Sequence, residues 1–322
     1  MTKRLLSEVT AGLMLTAASA ALPTSSFAQE APQAVFRSAV EVVTVSAAIR
    51  NSKGRVVKDL KAGDFELYDS GARREIKDVY FGDSPISLAI LLDISGSMAV
   101  GGNIDRARDA IGMLSANLRD KQDEAALFTF DSKLQEVIGF TSDLERVRVR
   151  SLEGKPWGIT SLFDAIEETA RLVGERANKH RALLVITDGV DTGSRLSAAQ
   201  VSGIASTLDV PVYLLAVVNP ADHPEGDFQA RPSDARFSQQ GELADLSRWT
   251  GGDLHYASVP SHLVDAVRDI LTELRFQYLI TFEPSARPGW HALEIRTRKR
   301  DLTVHARGGY MSGPLRSGSG SD

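Results

Sequence analysis

Leu88-Ala89-Ile90-Leu91-Leu92-Asp93-Ile94-Ser95-Gly96-Ser97 is the stretch whose reading decides the fold of this chain. Five apolar residues in succession, without alternation, read as a strand covered on both faces. An aspartate and two serines at alternate positions follow at once, so three hard oxygen donors can converge just past the strand end. Such donors suit Mg²⁺ or Mn²⁺ rather than zinc, and serine hydroxyls add no charge to the shell. Taken alone, Asp-x-Ser-x-Ser also fits capping of a following helix, because short strings of this kind are common.

Around this run, from residue 86 to about 275, apolar strands alternate with helical periodicity. The candidate buried strands are 88–92, 125–130, 182–186 and 212–218. Ile104, Ala107, Ile111, Leu114 and Leu118 step by three or four, as do Leu162, Ile166, Ala170 and Val173. Ser261 reads as the N-cap of a last helix carrying Leu263, Val264, Val267, Ile270, Leu271 and Leu274 on one side. This alternation predicts an α/β fold: a doubly wound, mostly parallel sheet flanked by helices.

In such a sheet, ligands gather outside the carboxyl ends of the strands. Asp93 lies just past one strand, and Asp188, in Ile186-Thr187-Asp188-Gly189, lies just past another. Gly158-Ile159-Thr160-Ser161-Leu162-Phe163-Asp164 starts a helix after a Pro/Trp/Gly loop. Asp93, Ser95, Ser97, Thr160 and Asp188 can therefore meet at one rim. Asp131 and Asp191 fall near the same rim, either orienting hydroxyls and ligand waters or serving as turn residues. Asp164 reads as a partner of the helix N-terminus. Trp157 reads either as an aromatic contact for a partner or as a lid packed on the sheet. His180, His223, His255, His262, His291 and His305 show no metal-ligand spacing and read as surface or strand residues.

The flanks are β-rich. Residues 40–85 hold a valine-rich run, a segment at 64–68 and another at 76–81, with Ser70-Gly71 separating the last two as a hairpin turn. Residues 276–311 read as strands joined by Pro/Gly turns. Neither piece is large enough alone, so they are expected to form one small β domain into which the 86–275 domain is inserted. The polar stretch 219–240 reads as a long loop, functional or disordered. Residues 312–322 read as a disordered Gly/Ser tail.

The 322 residues carry a net charge of −5 with no basic block, which argues against nucleic-acid or anionic-membrane binding. At the amino terminus, Lys3 and Arg4 precede a short apolar run and Ser26-Phe27-Ala28, the pattern of a signal peptide ending at residue 28, with a patternless leader over 29–39. That run is too short to span a bilayer, which takes about 20 apolar residues. The expected location is therefore secreted or periplasmic, with no integral membrane segment after cleavage. The chain has no cysteine, which removes lipoprotein acylation, Cys-based zinc sites and thiol catalysis.

Asp93-Ile94-Ser95-Gly96-Ser97, the Gly-x-Thr-Ser-Leu-x-Asp-Ala turn and the Thr-Asp-Gly turn, in that order, together resemble a von Willebrand factor type A (VWFA) domain with a complete metal-ion-dependent adhesion site (MIDAS). The flanks resemble the secreted bacterial "VWFA-related" family common in Acidobacteria, through Leu60 to Gly71, Gln277-Tyr278-Leu279-Ile280, Gly289-Trp290-His291 and Arg307-Gly308-Gly309-Tyr310. The resemblance implies that Ser95 and Ser97 bind Mg²⁺ (or Mn²⁺) directly. Asp93, Thr160 and Asp188 complete the shell directly or through water, and one position stays open for a partner's acidic side chain. It implies a non-enzymatic adhesion or assembly module whose protein ligand presents an exposed Asp or Glu. Two alternatives stand beside it: a metal-assisted hydrolase, and an envelope-assembly factor with an unoccupied site. No phosphate-binding loop, nucleophile elbow or histidine triad candidate is present, and Asp131 is the only base in reach for a hydrolase.

Overall fold

A computed structural model describes residues 42–189, 191–219 and 235–312. The expected signal peptide, the leader, most of the 219–240 stretch and the tail beyond 312 lie outside the described residues. The N-terminal flank holds β1 (Val43–Asn51), β2 (Phe65–Asp69), β3 (Ala72–Arg74) and β4 (Ile76–Phe81). The α/β body follows as β5 (Ile86–Asp93), α1 (Asn103–Asn117), β6 (Glu124–Phe130), β7 (Leu134–Thr141), α2 (Leu144–Arg150), α3 (Leu162–Gly174) and β8 (His180–Thr187). It continues through α4 (Ala198–Thr207), β9 (Val212–Val217), α5 (Ala235–Thr250), β10 (Leu254–Ala257) and α6 (Pro260–Arg275). The chain then returns to strands β11 (Tyr278–Phe282), β12 (Gly289–Thr297), β13 (Leu302–Ala306) and β14 (Gly309–Ser312).

The body is a six-stranded sheet in the order β10-β9-β8-β5-β6-β7, parallel except for the antiparallel edge strand β7. Every residue of β5 is buried, as a strand between two helical layers requires. Its side chains alternate: Ile86, Leu88, Ile90 and Leu92 pack with α1 and α6 residues such as Ile111 and Ile270. Ala89 and Leu91 pack on the other face with Leu162, Ile166 and Val201 from α3 and α4. The long apolar run thus serves two cores at once.

The flanking strands form two four-stranded sheets, β13-β1-β11-β4 and β14-β12-β2-β3, each built from both ends of the chain. Their shared core holds Val45, Ile49, Phe65, Leu67, Tyr278, Ile280, Phe282 and Ile295. Within it Asp69 accepts from the His291 ring at 2.6 Å and from the Tyr310 hydroxyl at 3.1 Å. Three flank motifs therefore meet at one buried carboxylate. Burial opposes ionisation of Asp69, and the bonds from His291, the Ser285 amide and Tyr310 outweigh it, holding the carboxyl below its usual range. The described residues fall within one compact unit.

Entry to the body and exit from it are tied to one residue. Buried Asp123 accepts from the Ile86 amide at 2.9 Å and from the Arg275 guanidinium at 2.8 Å. Both flanks thus join at the amino end of β5. The opposite end of that strand lies roughly 23 Å away at the usual rise per residue.

Some local expectations are corrected. Ser70-Gly71, both at positive φ (50° and 79°), turns β2 into the short β3, while 76–81 crosses to the other sheet and pairs with β11. Two consecutive left-handed residues are what a tight two-residue hairpin needs, so the turn signal was sound but its second strand was three residues long. The last helix starts at Pro260 with Val259 as N-cap, so Ser261 lies inside its first turn. Proline's fixed φ suits that first position. The 219–240 stretch ends in helix, since α5 begins at Ala235.

Candidate metal centre

The carboxyl ends of β5 and β8 place Asp93 and Asp188 side by side. Asp93 is fully buried; its Oδ1 accepts from the Ser95 amide at 2.8 Å and its Oδ2 from the Thr187 hydroxyl at 2.6 Å. The Ser95 and Ser97 hydroxyls are 3.1 Å apart, with Ser95 buried and Ser97 exposed. Neither serine caps a helix: Ser95 precedes a short 3-10 turn over Gly96–Ala99 without a side-chain bond to it, and α1 begins after Gly102. Desolvation, and after it the charge of Asp188, drive the Asp93 carboxyl up to about 6 against the Thr187 and Ser95 hydrogen bonds. A divalent cation bound at these residues would oppose both effects.

Thr160, which is buried, is tied by its backbone to the loop after β8. Its carbonyl accepts from the Thr192 and Gly193 amides, both at 2.9 Å, and its amide donates to the Thr192 hydroxyl at 3.0 Å. The Gly96 amide donates to Gly158 O at 3.1 Å, the Trp157 amide to Ile94 O at 2.8 Å, and the Ser161 amide to Asp131 O at 2.8 Å. These bonds lock the loops after β5, β6 and β8 to the segment that opens α3. A rigid rim made of four loops is the kind of support that keeps donor oxygens in one geometry.

The remaining residues fall into turn and capping work. Asp131 Oδ1 accepts from the Lys133 amide and the Ser132 hydroxyl, an Asx-type turn. Asp191 Oδ1 accepts from the Leu162 amide at 2.8 Å and caps α3 from the neighbouring loop. Asp164 bonds the Arg195 and Leu196 amides rather than its own helix end, and those bonds outweigh desolvation to hold its carboxyl below the usual range. Trp157 is 80% exposed, so it is no lid on the sheet. Thr187, Thr192 and Ser194 were not singled out from sequence, yet each hydroxyl bonds a rim residue. For Thr187 the signal was available, as the last residue of a buried strand immediately before Asp188.

The reading of the histidines as surface or strand residues left their burial open for two of them. His180 and His291 are strand residues but buried. His305 Nδ1 lies 3.0 Å from Glu273 Oε1, and with Asp253 these three offer donor atoms within 4.8 Å of one another. The Arg50 guanidinium pairs with the same Glu273, so positive charge is already supplied there. That group therefore reads as an ion-paired junction between α6 and the flanking strands.

Residues 88–190 match the family model described as the von Willebrand factor type A domain. This chain carries a von Willebrand factor type A domain. Solved structures similar to it include BatB from Bacteroides thetaiotaomicron (19% identity, 58% of this chain and 98% of that one, TM-score 0.47). A von Willebrand factor type A protein from Catenulispora acidiphila is similar over 86% of this chain and 75% of its own, at 11% identity and a TM-score of 0.48. Proximal thread matrix protein 1 from the mussel byssus, with a zinc-occupied MIDAS motif, is similar at 16% identity, over 63% of this chain and 49% of its own, with a TM-score of 0.46. No curated protein matches the chain. The family match reaches the domain and not the narrower secreted bacterial family that the flanks resemble.

In this von Willebrand factor type A domain, Gly158 has a structural task of its own. Its φ is +94°, and an added Cβ would meet Asp131 atoms at 3.6–3.8 Å, so space is adequate and conformation is not. Gly158→Ala is expected to cost roughly 1–2 kcal/mol through backbone strain. Thermal melting checks it: an unchanged midpoint would mean the loop adapts without strain.

Proposed function

We propose that this chain is a divalent-metal-dependent protein-binding module of the cell envelope or extracellular space, with Asp93, Ser95, Ser97, Thr160 and Asp188 holding Mg²⁺ or Mn²⁺. The observation that carries this reading is the buried Asp93 carboxylate set beside Asp188 and the Ser95–Ser97 hydroxyl pair, at a rim where Ser97 is exposed. Two carboxylates among neutral hydroxyls suit a hard cation and leave it electrophilic. A partner's Asp or Glu then completes the shell. The signal-like terminus and the flanking motifs support a secreted or periplasmic protein of the bacterial VWFA-related kind, with the flanks acting as one small β domain. Among the described residues no helix is long and apolar enough to cross a membrane. Against the hydrolase reading, one oxygen of Asp131 is committed to its own turn.

The test is capture of envelope proteins by the intact chain with Mg²⁺ or with EDTA, followed by identification of what EDTA releases. Capture that is indifferent to EDTA would refute the reading.

The raised Asp93 carboxyl also fixes a pH dependence. Its folded value of about 6 lies above its ordinary 3.8, so between those values the metal-free folded state holds the extra proton. Metal-free stability is therefore greatest below about pH 4 for this group and declines as pH rises through about 6, by on the order of 2–3 kcal/mol. The metal must displace that proton, so its apparent affinity is expected to fall about tenfold per unit below pH 6. Melting curves with and without Mg²⁺ across pH 5–8 check this: the Mg²⁺-induced rise should shrink on acidification. A rise constant across that range would refute this pH dependence.

A further inference from the structure

Beside the candidate metal centre stands a set of apolar side chains that the fold leaves in water. Trp157 is 80% exposed, Val100 65% and Ile159 53%. They are not on a loose loop. The Trp157 amide is bonded to Ile94 O and the Val100 amide to Ser97 O, while Ile159 lies against Gly193. All three therefore sit on segments tied to the loops that carry the candidate metal residues. Lys133 and Lys155, on the loops after β6 and before Trp157, are exposed as well. An exposed tryptophan with exposed lysines on its own loop and on the adjoining one is the composition of a recognition surface for an acidic, partly apolar ligand, since aromatic anchors dominate interface energies at low entropic cost.

We propose that the partner is recognised through a linear acidic segment in which a bulky apolar residue stands next to, or one position away from, the metal-binding Asp or Glu. The carboxylate takes the open metal position, the apolar residue packs on Trp157 and Ile159, and neighbouring acidic residues face Lys133 and Lys155. The metal alone accepts any carboxylate, so selectivity resides in this apolar contact. The inference rests on the metal-dependent binding reading above.

The experiment is selection of a displayed library of random linear peptides on the intact chain in Mg²⁺, with elution by EDTA. Enrichment of peptides pairing Asp or Glu with a bulky apolar neighbour is the expected result. For a selected peptide, Trp157→Ala is expected to weaken binding about tenfold or more and Trp157→Phe to retain most of it. Neither variant should change the Mg²⁺-induced melting shift, because the side chain is exposed and offers no metal donor. Acidic peptides enriched without apolar neighbours, or a Trp157→Ala variant that binds as well as the parent, would overturn this inference and leave the metal-dependent reading standing. Absence of any EDTA-eluted acidic peptide would overturn both.

Discussion

Asp93→Asn is expected to abolish the metal response while leaving the metal-free protein at least as stable at neutral pH. The asparagine keeps the shape and still accepts from the Ser95 amide, the bond that Asp93 Oδ1 makes at 2.8 Å. What disappears is a fully buried negative charge beside Asp188, whose burial drives its carboxyl up to about 6. Removing that charge relieves a cost instead of creating one. Metal binding depends on it, because hard divalent ions hold to carboxylate oxygen. In the wild-type protein, saturation to 100 times the dissociation constant stabilises by about 2.7 kcal/mol through preferential binding to the folded state. The variant should show none of that. Paired melting curves with Mg²⁺, Mn²⁺ and EDTA decide the matter. An undiminished shift in Asp93→Asn would place the ion elsewhere, with Asp253, Glu273 and His305 the first place to look.

The second large effect is structural. Glu273→Ala is expected to destabilise the chain by about 3–5 kcal/mol, because Glu273 is fully buried and its loss strands two cationic partners. Arg50, 11% exposed, and His305, 19% exposed, both come from flanking strands and both converge on this one side chain of α6. Burial opposes ionisation of Glu273, and His305 and Arg50 outweigh it, so its carboxyl sits below the ordinary 4.5. Burial likewise opposes the charge on His305, and Glu273 outweighs it, so that ring sits above the ordinary 6.5. The carboxylate's contribution is present above pH 4.5 and lost as pH falls through its lowered value. The histidine's is complete below pH 6.5 and lost as pH rises through its raised value. Denaturant unfolding should therefore show the largest difference between wild type and Glu273→Ala in the window between those two ordinary values. Pairing the change with Arg50→Met should recover part of the loss, since replacing both charges is milder than orphaning one. A Glu273→Ala protein with wild-type stability would mean that water reaches this junction.

What was legible before any coordinates was the part of the fold that depends on strong local pattern. The 88–92 run, the stepped apolar positions of α1, α3 and α6, and the three rim motifs all announced themselves. Weak local pattern was missed. Helix α4 is built from Ala, Ser and Gly around Val201 and Ile204, and small residues carry little periodic signal although they let α4 sit close to its neighbours. Edge strand β7 and the four-residue β10 exist because neighbouring strands supply their hydrogen bonds, which no short window contains. The partners of the histidines were hidden for the same reason. His305 and His291 lie 32 and 222 residues from the carboxylates they meet.

The sequence by itself determined that a buried parallel strand ends in Asp93 and two hydroxyls, because apolar continuity and the order of donors along the chain are local properties. Only the tertiary structure decided that Asp188 stands close enough to raise Asp93, and that Asp191 and Asp131 hold turns and a helix end. It also decided that Trp157 faces solvent. Those outcomes depend on how four loops cross one rim, and distances between loops are set by the packing of the whole sheet.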